Sequence, residues 1–242
     1  PKGLPAWMQI NSLEIHPTRK GGVYIAGTRY KLDDMKPYLY RTLDYGKSWT
    51  KITKGIDESH FTRVVRADPK RQGLLYAGTE WGLYVSFNDG AQWQSMQRNL
   101  PIVSVTDIAI KEGDLIAATQ GRSFWVLDNL DHIRQLAPEL ADKDLHLFKP
   151  ESTYRMGGGG GGSGTGKNPA AGVEIRFHVS QKLLDAKTTI ALELRENDGT
   201  LIHRYATGST KKGKKLTVKA GINRFEWNRR YKGALEVPGM IL

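Results

Sequence analysis

Short runs of Val, Ile, Leu, Tyr and Trp, each closed off by Gly, Asp-Pro or Asn-Asp-Gly, recur along the first 150 residues. Runs this short, bounded by turn residues, predict β-strands. They also repeat as a set. Residues 12–17, 22–28 and 38–49 are followed by the same order at 63–69, 73–79 and 82–93, and a weaker third copy occupies 105–110, 114–119 and 123–127. Trp49 and Trp93 lie 44 residues apart, while Gly27 and Gly78 lie 51 apart, the surplus falling in the loop 29–37. A period of about 40–50 residues with four strands per copy predicts propeller blades. No long helical pattern competes, and 138–143 allows at most a short helical turn. Three blades cannot close a ring, which takes at least about four, so further blades are expected from a longer chain or a partner.

A glycine-rich stretch, 151–171, interrupts the pattern and reads as a linker or surface loop. Strand-like runs resume at 172–179, 188–196, 201–206, 216–218 and 223–231, with Asn197-Asp-Gly199 as a hairpin signal. Turn spacing near ten residues suggests an immunoglobulin-like sandwich, incomplete because that fold has about seven strands. The expected class is all-β: about three four-stranded blades over 1–150, a linker over 151–171 and a truncated sandwich over 172–242.

Composition sharpens this division. The 242 residues are 39% hydrophobic, enough for a core, and contain no cysteine, which excludes disulfide scaffolds and thiolate metal sites. No apolar run spans a membrane. The chain starts at Pro1 without a leader and stops on the apolar stretch 236–242, so both ends read as cut. Its net charge of +11 is uneven, with 20 basic and 17 acidic residues up to 150 but 16 and 8 beyond it.

Two segments carry a recognisable turn motif. Thr42-Leu-Asp44-Tyr-Gly46-Lys-Ser48-Trp49 fits the Asp-box pattern fully, and Ser86-Phe-Asn88-Asp-Gly90-Ala-Gln-Trp93 fits it with Asn for Asp. An Asx side chain accepting backbone N–H groups, a glycine at positive φ and a packing Trp explain these residues as structure, not catalysis. In a blade the strand 3–4 turn lies opposite the strand 2–3 and 4–1 loops, so candidate ligand contacts belong to the latter. Those loops hold Arg29, Tyr30, Asp33, Asp34, His60, Glu80, Trp81 and Arg122. Arginine forks grip carboxylates and aromatic faces stack on sugar rings, so the set suits an anionic sugar or a peptide. Asp33-Asp34 carries a weak calcium signal without EF-hand spacing; no cofactor is otherwise implied.

Other motifs fail on detail. The segment 161–168 approaches a phosphate-binding P-loop but has Asn168 where Ser or Thr must follow Lys167. The basic run 211–215 has no interleaved aromatic residue and reads as a solvated hairpin tip. The six histidines lack metal-ligand spacing.

The residues 29–34, 40–49, 73–79, 84–93 and 118–125 resemble the BNR/Asp-box propellers of the sialidase and sortilin (Vps10) type, particularly large bacterial proteins of the BNR-repeat glycosyl hydrolase group. Residues 168–173 and 220–227 resemble the sandwich that follows in them. The resemblance implies an exported, multidomain protein. The sialidase arginine triad and Tyr–Glu pair have no counterparts here. The expected function is therefore ligand or protein binding, with a glycoside hydrolase completed by other blades as the alternative and a nucleic-acid binder the weakest reading.

Overall fold

The computed structural model describes residues 2–153, 172–211 and 213–231; most of the expected linker, 154–171, lies outside them, as does the chain after 231. The chain divides into two compact units, Pro1–Leu130 and Asp131–Leu242.

The first unit consists of antiparallel meanders. Strands β1 (Gln9–Ile15), β2 (Val23–Arg29), β3 (Asp34–Thr42) and β4 (Thr50–Lys51) form one sheet in chain order. Strands β5 (Thr62–Ala67), β6 (Leu75–Thr79), β7 (Gly82–Ser86) and β8 (Gln94–Ser95) form the second in the same way. The third contains β9 (Val105–Lys111), β10 (Asp114–Thr119) and β11 (Phe124–Leu127). The expected fourth strand of this last copy is absent among the described residues. This copy has no Asp box or closing Trp to turn the chain back. Instead Leu130 N–H donates to Gly113 O (2.7 Å) and Asn129 N–H to Asp114 Oδ1 (2.8 Å), fastening the exit to the β9–β10 turn.

The sheets stack as blades of a partial β-propeller. Tyr24, Ala26 and Leu39 of the first blade meet Val65, Ala67, Leu75, Ala77, Tyr84 and Trp93 of the second, with Ile52 and Ile56 between them. Alternation along each strand assigns the other face to the next neighbour. Val105, Ile108, Leu115 and Ala117 of the third blade are buried, and Arg66 Nε of β5 donates to Ile108 O (2.9 Å). Both outer faces stay partly bare: Leu13 and Ile15 are 60% and 71% exposed on β1, Phe124 and Val126 72% and 55% on β11. An unclosed propeller presents such faces.

Residues 2–8 form a fourth repeat element that strand counting overlooks. Trp49 N–H donates to Lys2 O (3.0 Å) as Trp93 N–H donates to Lys54 O (2.8 Å). Gly3 (φ +97°) and Gly55 (φ +96°) follow, each placed so that a Cβ would overlap the carbonyl of its tryptophan. Leu4 and Met8 then cover Ile25, Tyr38 and Tyr40, as the β4–β5 crossover covers the second blade.

The second unit opens with α1 (Asp131–Arg134), and β12 (Leu145–Leu147) pairs with β13 (Val173–Val179), which also pairs with the final strand. Between them run α2 (Gln181–Asp185), whose Ser180 cap accepts the Leu183 N–H (3.3 Å), the hairpin β14 (Ala191–Arg195) and β15 (Leu201–Ala206), then β16 (Gly221–Trp227). The sheets β12-β13-β16 and β14-β15 bury Ile175, Phe177, Val179, Leu194 and Ile202 between them, a small β-sandwich. The first unit thus ends at Leu130, not at 150, because β12 is an edge strand of the sandwich. The expected strand 216–218 does not form. Leu216 is buried in the core, but only its neighbour Lys215 bridges, to Ala206.

Candidate ligand-binding rim

The two ends of the blades differ in chemistry. At one end the two segments that match the Asp-box pattern in sequence, called boxes below, close the β3–β4 and β7–β8 turns. Asp44 accepts the Ser48 hydroxyl (2.6 Å), the Ser48 N–H (3.0 Å) and the Thr42 hydroxyl (2.8 Å), while Thr42 Oγ1 accepts the Gly46 N–H (3.0 Å). These donors, the Ser48 hydroxyl foremost, hold the Asp44 carboxyl down at about 2. Asn88 repeats the pattern, accepting from the Ser86 hydroxyl (3.0 Å) and Gln92 N–H (2.9 Å), with Gly90 N–H on Ser86 Oγ (3.0 Å). Gly46 and Gly90 take φ of 81° and 82°, as the turn requires. Tyr45 N–H donates to Gly21 O and Asp89 N–H to Gly73 O, tying both boxes to the β1–β2 and β5–β6 turns. The boxes therefore belong to the end away from the candidate rim.

At the other end, the β6–β7 loop meets the β4–β5 crossover through Glu80 N–H on Phe61 O (3.0 Å). Two clusters form here. In the first, Asp34 Oδ2 accepts the Tyr38 hydroxyl (2.6 Å) and the Arg29 guanidinium (3.1 Å). The Tyr38 hydroxyl chiefly, helped by the Lys36 amide and Arg29, holds the Asp34 carboxyl below the usual carboxylate range.

In the second cluster Tyr30 stacks on Phe61 (centroids 5.5 Å apart), and the Arg63 guanidinium lies over that ring at 5.0 Å while pairing with Glu80 (2.6 Å). His60 Nδ1 shares a 2.8 Å hydrogen bond with the Tyr84 hydroxyl, and its ring lies 6.2 Å from Trp81. Trp81 itself is 50% exposed. The structure thus gathers Tyr30, His60, Glu80 and Trp81 at the junction of the first two blades, with Arg29 and Asp34 next along the chain.

Asp33 sits at φ 57° in the loop beyond and lines an open groove of about 530 Å3 with Asp34, Lys36, Asp57, Glu58 and Ser59. Arg122 is apart, exposed on the β10–β11 turn, where its carbonyl accepts the Trp125 indole N–H (2.9 Å). Among the described residues no three His, Asp or Glu side chains converge to hold a metal ion.

Sequence reasoning missed Tyr38, Phe61 and Arg63, which lock the predicted residues in place. The signal was available, since Phe61 and Arg63 are two apart in an extended segment and so share a side. The locking limits the chemistry. Both Asp34 and Glu80 are clamped by an arginine, whereas the exposed face of Trp81 is free for stacking. Thr28 Oγ1 and Arg29 Nε are buried at this rim without a hydrogen-bond partner.

No family model and no curated protein matches the chain. Among solved structures it is similar to YCF48 bound to a D1 peptide (19% identity, 53% of this chain and 40% of that one, TM-score 0.38). An ancestral GH74 enzyme gives 14% identity over 83% of this chain and 27% of the other, TM-score 0.39. The GH74 xyloglucanase from Xanthomonas campestris gives 16% over 58% and 25%, TM-score 0.35. The chain spans less than half the length of each. Among the described residues no helix is long and apolar enough to cross a membrane.

Proposed function

We propose that this chain is the ligand-binding portion of a larger exported Asp-box propeller protein of the sortilin and BNR-repeat type, its ring completed by further blades in the same or a partner chain. The ligand is a carbohydrate or peptide held at the junction of the first two blades. One observation carries the reading: the half-exposed Trp81 ring stands beside His60 at a rim whose carboxylates Asp34 and Glu80 are already engaged by Arg29 and Arg63. A flat aromatic face flanked by fixed charges binds sugar rings or peptide side chains. Catalysis of glycoside cleavage needs two carboxyl groups free to act across the scissile bond, and Asp34 and Glu80 are each engaged by an arginine. The bare faces at Leu13, Ile15, Phe124 and Val126 support further blades.

The alternative, a glycoside hydrolase completed by other blades, draws on the groove at Asp33, Asp57 and Glu58. Assaying the full-length protein and its Asp33→Ala and Glu80→Ala variants on a glycoside panel separates the two. Binding without turnover is the expected result. Turnover abolished by either change would overturn it in favour of the hydrolase.

A further inference from the structure

The end of β15 in the second unit carries a feature that the binding reading does not use. After Ala206 the chain loops outward and returns, Ala206 N–H donating to Lys214 O (3.1 Å) and Leu216 N–H to Ala206 O (2.9 Å). Inside the loop, Lys214 N–H closes a turn on Lys211 O (3.1 Å), with Gly213 at φ 69°. Of the basic run that sequence alone assigns to a solvated tip, Lys214 is folded back against the strand, while Lys211 and Lys215 are exposed.

The return creates a cavity of about 580 Å3 lined by His203, Arg204, Thr207, Ser209, Lys211 and Lys214, among others. Lys214 is held in place. His203, buried at 8% exposure, directs Nε2–H at Arg230 O (2.9 Å), since a carbonyl can only accept. That tautomer leaves Nδ1 as an acceptor, and the Lys214 ammonium donates to it at 3.0 Å. The same ammonium lies 4.7 Å from the centre of the Tyr205 ring, a cation–π contact. Neither contact neutralises its charge, and an ammonium has three N–H donors.

Arg204 adds a second cation, its guanidinium 3.5 Å from Glu193, which is shared with Arg195. Lys211 adds a third and is exposed. Among the described residues no carboxylate pairs with Lys211 or Lys214. Thr207 Oγ1 accepts the Ile190 N–H (3.0 Å), leaving its own hydroxyl proton to donate.

We propose that this cavity is a binding site for a tetrahedral oxyanion, the phosphate or sulfate group of a small ligand. The chemistry fits point by point. A pre-positioned ammonium avoids the ordering cost of a free lysine side chain, and charge-assisted bonds from several cations suit an anion with several oxygens. The +8 balance beyond residue 150 then has a local purpose in addition to general solubility.

The test titrates the whole chain at low salt with inorganic phosphate and inorganic sulfate, read by calorimetry. Saturable binding at one site per chain is expected, with at least about a tenfold loss for Lys214→Met and for Lys211→Gln. Lys187→Gln, a change at an exposed lysine elsewhere in the same unit, leaves it unchanged. The Lys214→Met change keeps the aliphatic stem, and an unaltered melting temperature identifies it as folded. Absence of saturation by either ion, or equal losses for all three variants, would overturn the proposal. So would a short oligonucleotide binding that neither ion displaces, since that assigns the charge to nucleic acid.

Discussion

Asp89 belongs to the second Asp-box turn, yet its carboxylate binds the Arg41 guanidinium of the first blade. The same carboxylate accepts the Tyr24 hydroxyl, and Arg41 also donates to the Asp89 carbonyl at 3.2 Å. Burial of Tyr24, together with the neighbouring Asp89 charge, pushes its phenol upward, so Tyr24 stays a donor across the physiological range. One aspartate thus joins two adjacent blades at the box end.

Replacing it tests the latch. Asn tolerates the left-handed backbone at position 89, so Asp89→Asn removes charge without strain. About 1–2 kcal/mol of stability is expected to go, less than a fully buried pair would give because both side chains keep partial exposure. Urea denaturation of Asp89→Asn, Arg41→Met and the double variant measures the coupling. A coupling of at least about 0.5 kcal/mol is expected; additivity would contradict the latch.

The two box tryptophans are equivalent in sequence but not in bonding. Trp93 is 2% exposed and its Nε1–H donates to Ile52 O at 2.7 Å, whereas Trp49 Nε1 is buried without a partner. Trp93→Phe therefore loses a hydrogen bond that Trp49→Phe does not. The first change should cost about 1 kcal/mol more than the second, as seen in paired thermal melts. Equal costs would show that the Ile52 bond contributes nothing net.

Acid should weaken the first box and spare the second. The Asp44 carboxyl is lowered from 3.8 to about 2, so its contribution is complete above the unfolded value. It is lost as pH falls through the folded one. Asn88 carries no titrating proton. Melting temperatures of the chain and of Asp44→Asn should differ at about pH 5 and converge towards about pH 2. A constant gap across that range would contradict the assignment.

The blades were legible in the sequence because their inner strands, such as β2, β6 and β7, are buried on both faces and give short apolar runs, each punctuated by turn residues. The β3–β4 and β7–β8 turns fall just before Trp49 and Trp93, where the repeat places them. The crossover at residues 2–8 was not, since a Lys-Gly-Leu segment has no strand period. It is recognisable only by comparison with Lys54-Gly55-Ile56, whose glycine the tryptophan carbonyl demands. The edge strand β12 was missed for a related reason: three residues, exposed at alternate positions, give no pattern to read.

The rim was legible in part. Tyr30, His60, Glu80 and Trp81 lie in loops that the blade topology brings together. Nothing in their spacing said that Arg63 would claim Glu80, or that Tyr38, inside a strand, would reach Asp34. Arg122 shared their loop type but sits one blade further on. Pairing across strands depends on register, which the bulges at Ile10/Ser12 and Thr62/Val64 shift.

Ligand binding at the junction of the first two blades is tested most directly by screening the chain and its Trp81→Ala variant against glycan and peptide arrays. Trp81 is half exposed, so the substitution should leave the melting temperature within about 1 °C. At least one saturable ligand is expected whose affinity falls about tenfold or more with Trp81→Ala, as the loss of a stacking face requires. A ligand bound equally well by both proteins would contradict it.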